Sequence, residues 1–260
     1  MMPSAIEREA HQLLSHLSLP NSSSPKVLLE VLEDRNQWLL LRDGRVVDQC
    51  PTLAGVVPML HSNILLMAYW SSGCMAALHA AAVTRGGDCI VMPATSGSGK
   101  STLTAALLSH GFGYCTDDLA LLTHEPVRIR PVPTCLGLKP GSWSVVDDVF
   151  PEIRNLPIYL RSDGKQVRYL PPPNVDSARD SYRARAIVFP AWSPGHSAEI
   201  RSISTVEGLS RLTASGYDVP SRINRNIVDC LIQWLSGLPC YELRYDAPGD
   251  AAPMISALMS

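Results

Sequence analysis

The stretch that decides the fold of this chain is Ala94-Thr95-Ser96-Gly97-Ser98-Gly99-Lys100-Ser101-Thr102. It follows a strand-like run at residues 89–92 and precedes a helix-like run at residues 103–108. Glycines between a strand and a helix let successive backbone N–H groups turn toward an anion, and the helix N-terminus adds partial positive charge. This context therefore predicts a phosphate-binding loop.

The residues of this loop predict a site for a nucleoside triphosphate with Mg²⁺. Lys100 is expected to reach the terminal phosphates, and the Ser101 hydroxyl is expected to bind Mg²⁺. The usual pattern has a glycine where this chain has Ala94, so the start of the loop departs from it. The predicted cofactor-binding residues of the loop are Ser96, Gly97, Ser98, Gly99, Lys100, Ser101 and Thr102.

The order of periodic segments predicts an α/β fold in two parts. Residues 1–54 contain a helical pattern at 5–18, a breaker at Pro20–Pro25 and three short strands that form a small antiparallel sheet. Residues 55–260 form the larger domain, with the loop between a strand at 88–93 and a helix at 100–109. Further predicted elements are a helix at 55–72, strands at 80–85, 114–116, 119–123, 186–189 and 241–245, and helices at 206–215, 221–236 and 249–259. The proline-rich middle, residues 125–182, is predicted to lack long helices.

Composition narrows the class of protein. The 260 residues have a formal net charge of -2, which gives no electrostatic footprint for nucleic acid. The seven cysteines include no Cys-x-x-Cys pair, so we expect reduced thiols in a cytoplasmic protein rather than a disulfide framework or a zinc site. These observations do not distinguish a monomer from a homo-oligomer.

Residues 49–84 contain no Asp, Glu, Lys or Arg, so a membrane span has to be considered. Asn63, Gly73 and His79 interrupt the segment, as do Ser71 and Ser72. A buried helix followed by a buried strand accounts better for this pattern. We therefore predict no membrane partner.

Two adjacent carboxylates, Asp117 and Asp118, follow Lys100 at the predicted end of another strand. Phosphoryl transfer needs one carboxylate near Mg²⁺ and another that takes the proton of the attacking hydroxyl. Lys139 and Arg168 are the best further cations, because each lies in a loop that could cover the triphosphate. His79 precedes the loop, and the residues alone favour a core histidine there.

The segment from His79 through the loop to Asp117-Asp118 resembles the HPr kinase/phosphorylase family. The residues that carry the resemblance are His79, the loop, and Ser109-His110-Gly111-Phe112-Gly113-Tyr114-Cys115-Thr116-Asp117-Asp118. The stretches at 137–143 and 188–190 are more similar to divergent HPr kinase-related proteins. The motif match covers about residues 79–122 and a looser one about 130–245, and Gly111-Phe112-Gly113 replaces the family's Gly-His-Arg.

The resemblance implies a P-loop kinase of the HPr kinase and phosphoenolpyruvate carboxykinase type, with a mixed twisted sheet and flanking helices. By similarity, Asp117 is the catalytic base, Asp118 a carboxylate on the metal side, and His79 a contact to the reacting phosphoryl group or to the base. The implied reaction moves the γ-phosphoryl group of ATP to a hydroxyl, with a serine of a small protein or peptide favoured. The divergent relatives imply a ribosomally made precursor peptide as one such acceptor.

Two alternatives remain open at this point. One is a kinase that acts on the hydroxyl of a small metabolite. The other is a non-catalytic, nucleotide-dependent scaffold or chaperone, against which the Asp117-Asp118 pair argues, because nucleotide binding alone needs no base.

Overall fold

The computed structural model describes residues 4–17, 27–175, 179–219 and 224–260. The predicted breaker at Pro20–Pro25 and the first residues of the helix predicted at 221–236 lie outside these ranges. The helices are α1 (Ser4–Leu14), α2 (Val56–Ser71), α3 (Lys100–Ser109), α4 (Pro140–Asp147), α5 (Thr205–Ser215), α6 (Arg225–Ser236) and α7 (Pro248–Ala257). The structure is thus a mixed α/β fold, and each helix predicted outside the proline-rich middle has a counterpart among the described residues.

The strands form four sheets in the described part of the chain. The strands up to the loop are β1 (Leu29–Asp34), β2 (Gln37–Arg42), β3 (Arg45–Cys50), β4 (Ala76–Leu78), β5 (Ala80–Arg85) and β6 (Asp88–Pro93). Those after it are β7 (Gly113–Thr116), β8 (Ala120–Leu122), β9 (Ile129–Arg130), β10 (Leu136–Leu138), β11 (Tyr159–Leu160), β12 (Gln166–Leu170), β13 (Arg183–Trp192), β14 (Glu199–Ile203), β15 (Tyr217–Asp218) and β16 (Cys240–Tyr245). The sheet orders are β1-β2-β3, β10-β12-β11, β14-β16-β13-β6-β5-β7 and β15-β4-β8-β9.

The six-stranded sheet carries the glycine-rich loop. Strand β6 is antiparallel to β5, to which it is joined by a tight turn at Gly86-Gly87, and both glycines have positive φ angles of 62° and 96°. Strand β7 is also antiparallel to β5, while β13 is parallel to both β6 and β16. Strands β6, β7, β13 and β16 therefore all point in the same direction, and their carboxyl ends meet at one edge.

Alternate residues of β6 enter two different cores. Ile90 and Met92 pack with α3, α4 and α7, whereas Cys89 and Val91 pack with α5 and α6. Because successive side chains of a strand point to opposite faces, a continuous apolar run is what a strand covered on both faces requires. Helices on both faces leave the carboxyl edge of the sheet as the accessible place for a ligand.

The antiparallel sheet β1-β2-β3 matches the small N-terminal sheet predicted from the sequence. Its buried residues pack with α1 and with the first turns of α2, and also with Tyr159, Val167 and Tyr169 from β11 and β12. The packing thus crosses residue 54, and the division of the chain into 1–54 and 55–260 stays a prediction.

Helix α2 occupies the apolar segment that raised the question of a membrane span. Among the described residues, Leu53–Ser71 is the one helical segment long and apolar enough to cross a membrane, and 44% of its apolar window is buried in the protein. The first turns are buried, while Leu66 and Trp70 near the end are exposed. This matches the predicted buried helix for the first turns only, and the absence of a membrane partner stays a prediction.

Helix α4 and strand β14 are among the elements that were not predicted. Helix α4 lies in the proline-rich middle and begins at Pro140, the first helical position, where proline is tolerated because its missing N–H has no intrahelical partner. Strand β14 extends the main sheet by pairing antiparallel to β16.

All seven cysteines are free thiols, five of them buried, as expected.

Glu242 lies on β16, next to the edge strand β14 of the main sheet, and is 5% exposed. Its carboxylate accepts hydrogen bonds from Arg201 Nη2 at 2.9 Å and from Arg211 Nη2 at 2.8 Å. Burial by itself would raise the pKa of Glu242, but the two arginines outweigh it and lower the pKa to about 2. The group thus links β16 to both β14 and α5.

Glu242→Gln is expected to lower the free energy of unfolding at neutral pH by on the order of 3 kcal/mol, because the buried carboxylate that accepts hydrogen bonds from Arg201 and Arg211 becomes a neutral amide. The folded pKa is depressed, so this stability is present above the ordinary value of 4.5 and is lost as the pH falls toward about 2. Urea unfolding at pH 7 and near pH 3 measures it, with the exposed Glu199→Gln as control. Equal losses at both pH values would contradict this account.

Candidate functional site

The candidate site lies where the carboxyl ends of the four parallel strands meet. The glycine-rich loop, residues 94–99, follows β6, and Asp117-Asp118 follows β7. Trp192 is the last residue of β13, and Tyr245 is the last residue of β16. The strand order places β13 and β16 on one side of the loop and β7 on the other.

The glycines of the loop occupy backbone conformations that other residues rarely adopt. Gly97 and Gly99 have φ angles of +92° and +88°. A Cβ atom on Gly99 would also lie 2.5 Å from Tyr245 Oη, so only glycine fits there. Ala94 is not among the described residues with positive φ, which explains why the usual first glycine is not needed in this loop.

Lys100 is the first residue of α3 and its side chain is 6% exposed. Its Nζ donates a hydrogen bond to the Asp117 carbonyl oxygen and another to Asp118 Oδ1 at 3.1 Å. Burial alone would lower the pKa of Lys100, but the two carboxylates raise it overall. The sheet thus brings the end of the loop and the acidic pair into direct contact.

Asp117 is 1% exposed. Neither of its carboxylate oxygens has a hydrogen-bond partner by distance and angle among the described residues, and Lys100 Nζ lies 3.9 Å from Oδ1. Burial raises the pKa of Asp117, against the lowering effects of Lys100, the Ser101 side chain and the Gly137 backbone. A buried carboxylate without hydrogen bonds is costly unless a cation or another partner satisfies it.

Asp118 is more open, with 34% of its side chain exposed. His79 Nε2 lies 3.7 Å from Asp118 Oδ1, and His79 Nδ1 lies 3.1 Å from the Ser215 carbonyl oxygen. Because a carbonyl only accepts, Nδ1 carries the proton and Nε2 faces Asp118. Burial would raise the pKa of Asp118, but Lys100 and His79 together hold it well below its ordinary value.

A cavity of about 520 Å³ opens between the loop and these side chains. This volume lies within the range of cavities that hold small ligands. The predicted site residues that line it are His79, Ser96, Gly97, Gly99, Lys100, Ser101, Thr102, Asp118 and Lys139. Asp117 and Ser98 do not line it, and the Ser98 hydroxyl is buried without a hydrogen-bond partner.

The two cations considered from the sequence lie in different places. Lys139 Nζ donates to Ser96 Oγ at 2.7 Å, so its loop does fold against the glycine-rich loop. Arg168 stacks on Trp143, with 4.3 Å from its guanidinium carbon to the ring centroid, and donates to the Ile153 carbonyl. Arg168 is therefore not a cavity residue but a packing partner.

Sequence reasoning missed the cavity residues Arg161, Trp192, Tyr245 and Asp246. Arg161 opens the hairpin turn between β11 and β12, and the Asp163-Gly164 pair in that turn is a signal that could have located the hairpin. Nothing local to the turn indicates that it faces the glycine-rich loop. The other three lie at the carboxyl ends of β13 and β16, and the position of these strands on one side of β6 depends on the order of the sheet.

Comparisons with known proteins give a distant likeness to solved structures. No protein-family model and no curated protein matches the chain. Among solved structures, the chain is similar to the HPr(Ser) kinase/phosphatase from Coxiella burnetii, with 11% sequence identity and a TM-score of 0.31 over 70% of this chain and 93% of that chain. At this identity and TM-score, neither a family nor an activity follows for this chain.

Proposed function

We propose that this protein is an ATP- and Mg²⁺-dependent kinase that transfers the γ-phosphoryl group to a hydroxyl. The observation that carries the proposal is the contact of Lys100 with the Asp117 carbonyl oxygen and the Asp118 carboxylate beside the glycine-rich loop, where Lys100 and Asp118 line one cavity. A loop and helix terminus for phosphates, a buried lysine and two carboxylates are the groups that phosphoryl transfer requires. A serine of a small protein or peptide as acceptor rests on the resemblance of residues 79–122 alone.

The residues present fit a magnesium ion. Asp117 has two buried carboxylate oxygens without hydrogen-bond partners, and Ser101 lies close enough to lower its pKa. Mg²⁺ is usually held by one or two protein groups together with substrate phosphates and water, so a larger set of protein ligands is not required. Bound Mg²⁺ would neutralise charge on the phosphates. We propose that Ser101 and Asp117 hold it.

Asp118 is the better placed base in this proposal. It lines the cavity, where an acceptor hydroxyl can reach it, whereas Asp117 does not. Asp118 would take the proton of the acceptor hydroxyl while the hydroxyl oxygen forms a bond to the γ-phosphorus. The bond from the γ-phosphorus to the β,γ-bridging oxygen would break in the same step, and ADP would leave. His79 would orient Asp118 from its position 3.7 Å away. The sequence resemblance implied the opposite roles, with Asp117 as the base and Asp118 on the metal side.

The cations of the cavity would bind and orient the triphosphate. Lys100 would leave Asp118 for the terminal phosphates, which offer a stronger partner for its charge. Lys139 and Arg161 line the same cavity and would hold the remaining oxygens. Without Lys100 beside it, Asp118 would lose the main charge that lowers its pKa and could then accept the proton of the acceptor hydroxyl.

ATP with Mg²⁺ is expected to stabilise the folded protein by about 2.7 kcal/mol at a hundredfold excess over the dissociation constant, because the ligand binds only the native state. Thermal melts with and without ATP and Mg²⁺ measure this, with AMP and Mg²⁺ as the control that lacks the terminal phosphates. Transfer to a candidate peptide is followed by mass spectrometry. An unchanged melting midpoint at saturating ATP or GTP would overturn the nucleotide site itself.

The same proposal places the protein in the cytoplasm with no nucleic acid or membrane partner. The expectation of no nucleic-acid partner rests on the net charge of -2, and the location rests on the seven cysteines, which include no Cys-x-x-Cys pair. The expectation of no membrane partner rests on the polar residues that interrupt the segment 49–84. Cell fractionation tests the location.

A further inference from the structure

We infer that the end of the cavity formed by Trp192 and its neighbours from β16 holds the purine base of the nucleotide, with the Trp192 ring as its stacking platform. The inference rests on the proposed function, because it assigns the far end of the same ligand. It adds a subsite and a residue that the glycine-rich loop does not specify.

The first step is the direction of the nucleotide. The terminal phosphate must face both Lys100 and Asp118, because the acceptor reacts there. Asp118 follows β7, on one side of the loop, and Trp192 and Tyr245 end strands on the other side. A nucleotide whose γ-phosphoryl group faces Asp118 therefore extends its base toward Trp192.

The second step is the attachment of this region to the loop. The Trp192 backbone N–H donates to the Ser98 carbonyl at 3.2 Å, and Tyr245 Oη donates to the Gly99 carbonyl at 3.2 Å. The ends of β13 and β16 are thus joined directly to the backbone that would hold the phosphates. Any ligand seated in the loop is therefore adjacent to Trp192.

The third step is the exposure of the aromatic ring. Trp192 lines the cavity and is 52% exposed, whereas the neighbouring Tyr245 is 1% exposed and belongs to the core. The indole Nε1 of Trp192 donates to the Asp246 carbonyl at 3.2 Å, which fixes the ring before a ligand arrives. An exposed, oriented indole loses little conformational freedom when a base stacks on it.

The chemistry of the cavity supports the same direction. Its cations, Lys100, Lys139 and Arg161, suit phosphates, while the Trp192 region adds Pro248 and the Asp246 carboxylate. Asp246 accepts the Gly195 N–H at 2.9 Å, which fixes a carboxylate that can accept from an amino group on a base. A purine offers both the larger face for stacking and such a group.

The experiment compares ATP with inorganic tripolyphosphate, which has the phosphates but no base. Binding of each with Mg²⁺ is measured by calorimetry for the full chain and for Trp192→Ala, Trp192→Phe and Trp70→Ala. Trp70 is the matched control, because it is also exposed, at 61%, but lies on α2 away from the cavity. Melting curves without ligand check that each variant is folded.

Trp192→Ala is expected to weaken ATP binding by about 5- to 150-fold, the loss typical of one base-stacking aromatic, and to leave tripolyphosphate binding unchanged. Trp192→Phe should restore most of the ATP affinity, because it restores an aromatic face. Trp70→Ala should bind both ligands as the parent protein does.

Equal weakening for both ligands, or no weakening for either, would overturn the base subsite, as would a parent protein that binds tripolyphosphate as tightly as ATP. In those cases the phosphate site stands. A parent protein that binds neither ligand would instead overturn the proposed function, and the subsite with it. Selective loss of ATP alone supports the inference.

Discussion

Lys100→Ala is expected to abolish detectable phosphoryl transfer, with a fall of roughly 10²- to 10³-fold or more, since a preorganised charge at the transferring oxygens is lost. The same change should weaken triphosphate binding strongly, because a charge-assisted contact to the phosphates has no replacement at the start of α3. Calorimetry with ATP and Mg²⁺ and mass spectrometry of the acceptor measure the two effects.

The matched control is Lys165→Ala, which removes an exposed lysine that does not line the cavity. It should leave binding and transfer unchanged. Lys100→Ala also leaves Asp117 and Asp118 without their ion pairs, so circular dichroism and a melt must show that the variant is folded. A folded Lys100→Ala protein that labels its acceptor at the parent rate would show that the loop is not the active site.

Asp118→Asn is expected to lower phosphoryl transfer by roughly 10²- to 10⁴-fold while ATP binds within a few-fold of the parent affinity. The amide has nearly the same shape as the carboxylate but cannot take the proton of the acceptor hydroxyl. Asp117→Asn should instead raise the Mg²⁺ concentration needed for nucleotide binding, because an anionic partner of a hard cation is neutralised. Asp118→Asn should therefore change the rate of transfer, whereas Asp117→Asn should change the Mg²⁺ requirement.

A Mg²⁺ series decides between the two divisions of labour, with ATP affinity and transfer measured at each concentration. Asp229→Asn is the control, because Asp229 is 63% exposed and pairs with Arg225 on α6. If Asp117→Asn loses transfer without a change in Mg²⁺ requirement, the division implied by the sequence resemblance is right and the one proposed from the structure is wrong. If both variants keep the parent transfer rate, the scaffold alternative gains.

Much of the local structure was predictable because it depends on neighbours in sequence. The β5–β6 turn follows from Gly86-Gly87, and the strand, loop and helix at residues 88–109 follow from an apolar run, two glycines and a helix-forming segment. The same signals located Asp117-Asp118 at a strand end. Backbone conformation and periodicity are local properties, so a single sequence carries them.

The surroundings of each acidic residue depend on the tertiary structure. Both carboxylates follow β7 and lie near Lys100 Nζ, but their exposure differs. The fold buries Asp117 and leaves Asp118 partly exposed beside His79. The sequence contains both carboxylates but not the face that each one meets.

The positions of Lys139, Arg168 and Trp192 relative to the loop also depend on the tertiary fold. Lys139 reaches the loop and Arg168 does not, although both lie in the proline-rich middle. Trp192 meets the loop because β13 pairs in parallel with β6, with Arg183 opposite Asp88 and Ile187 opposite Val91. Local patterns in the sequence were thus enough to predict the loop, its lysine and the neighbouring carboxylates. The order and register of the strands set which distant side chains face them. That long-range pairing depends on packing, which no local pattern records.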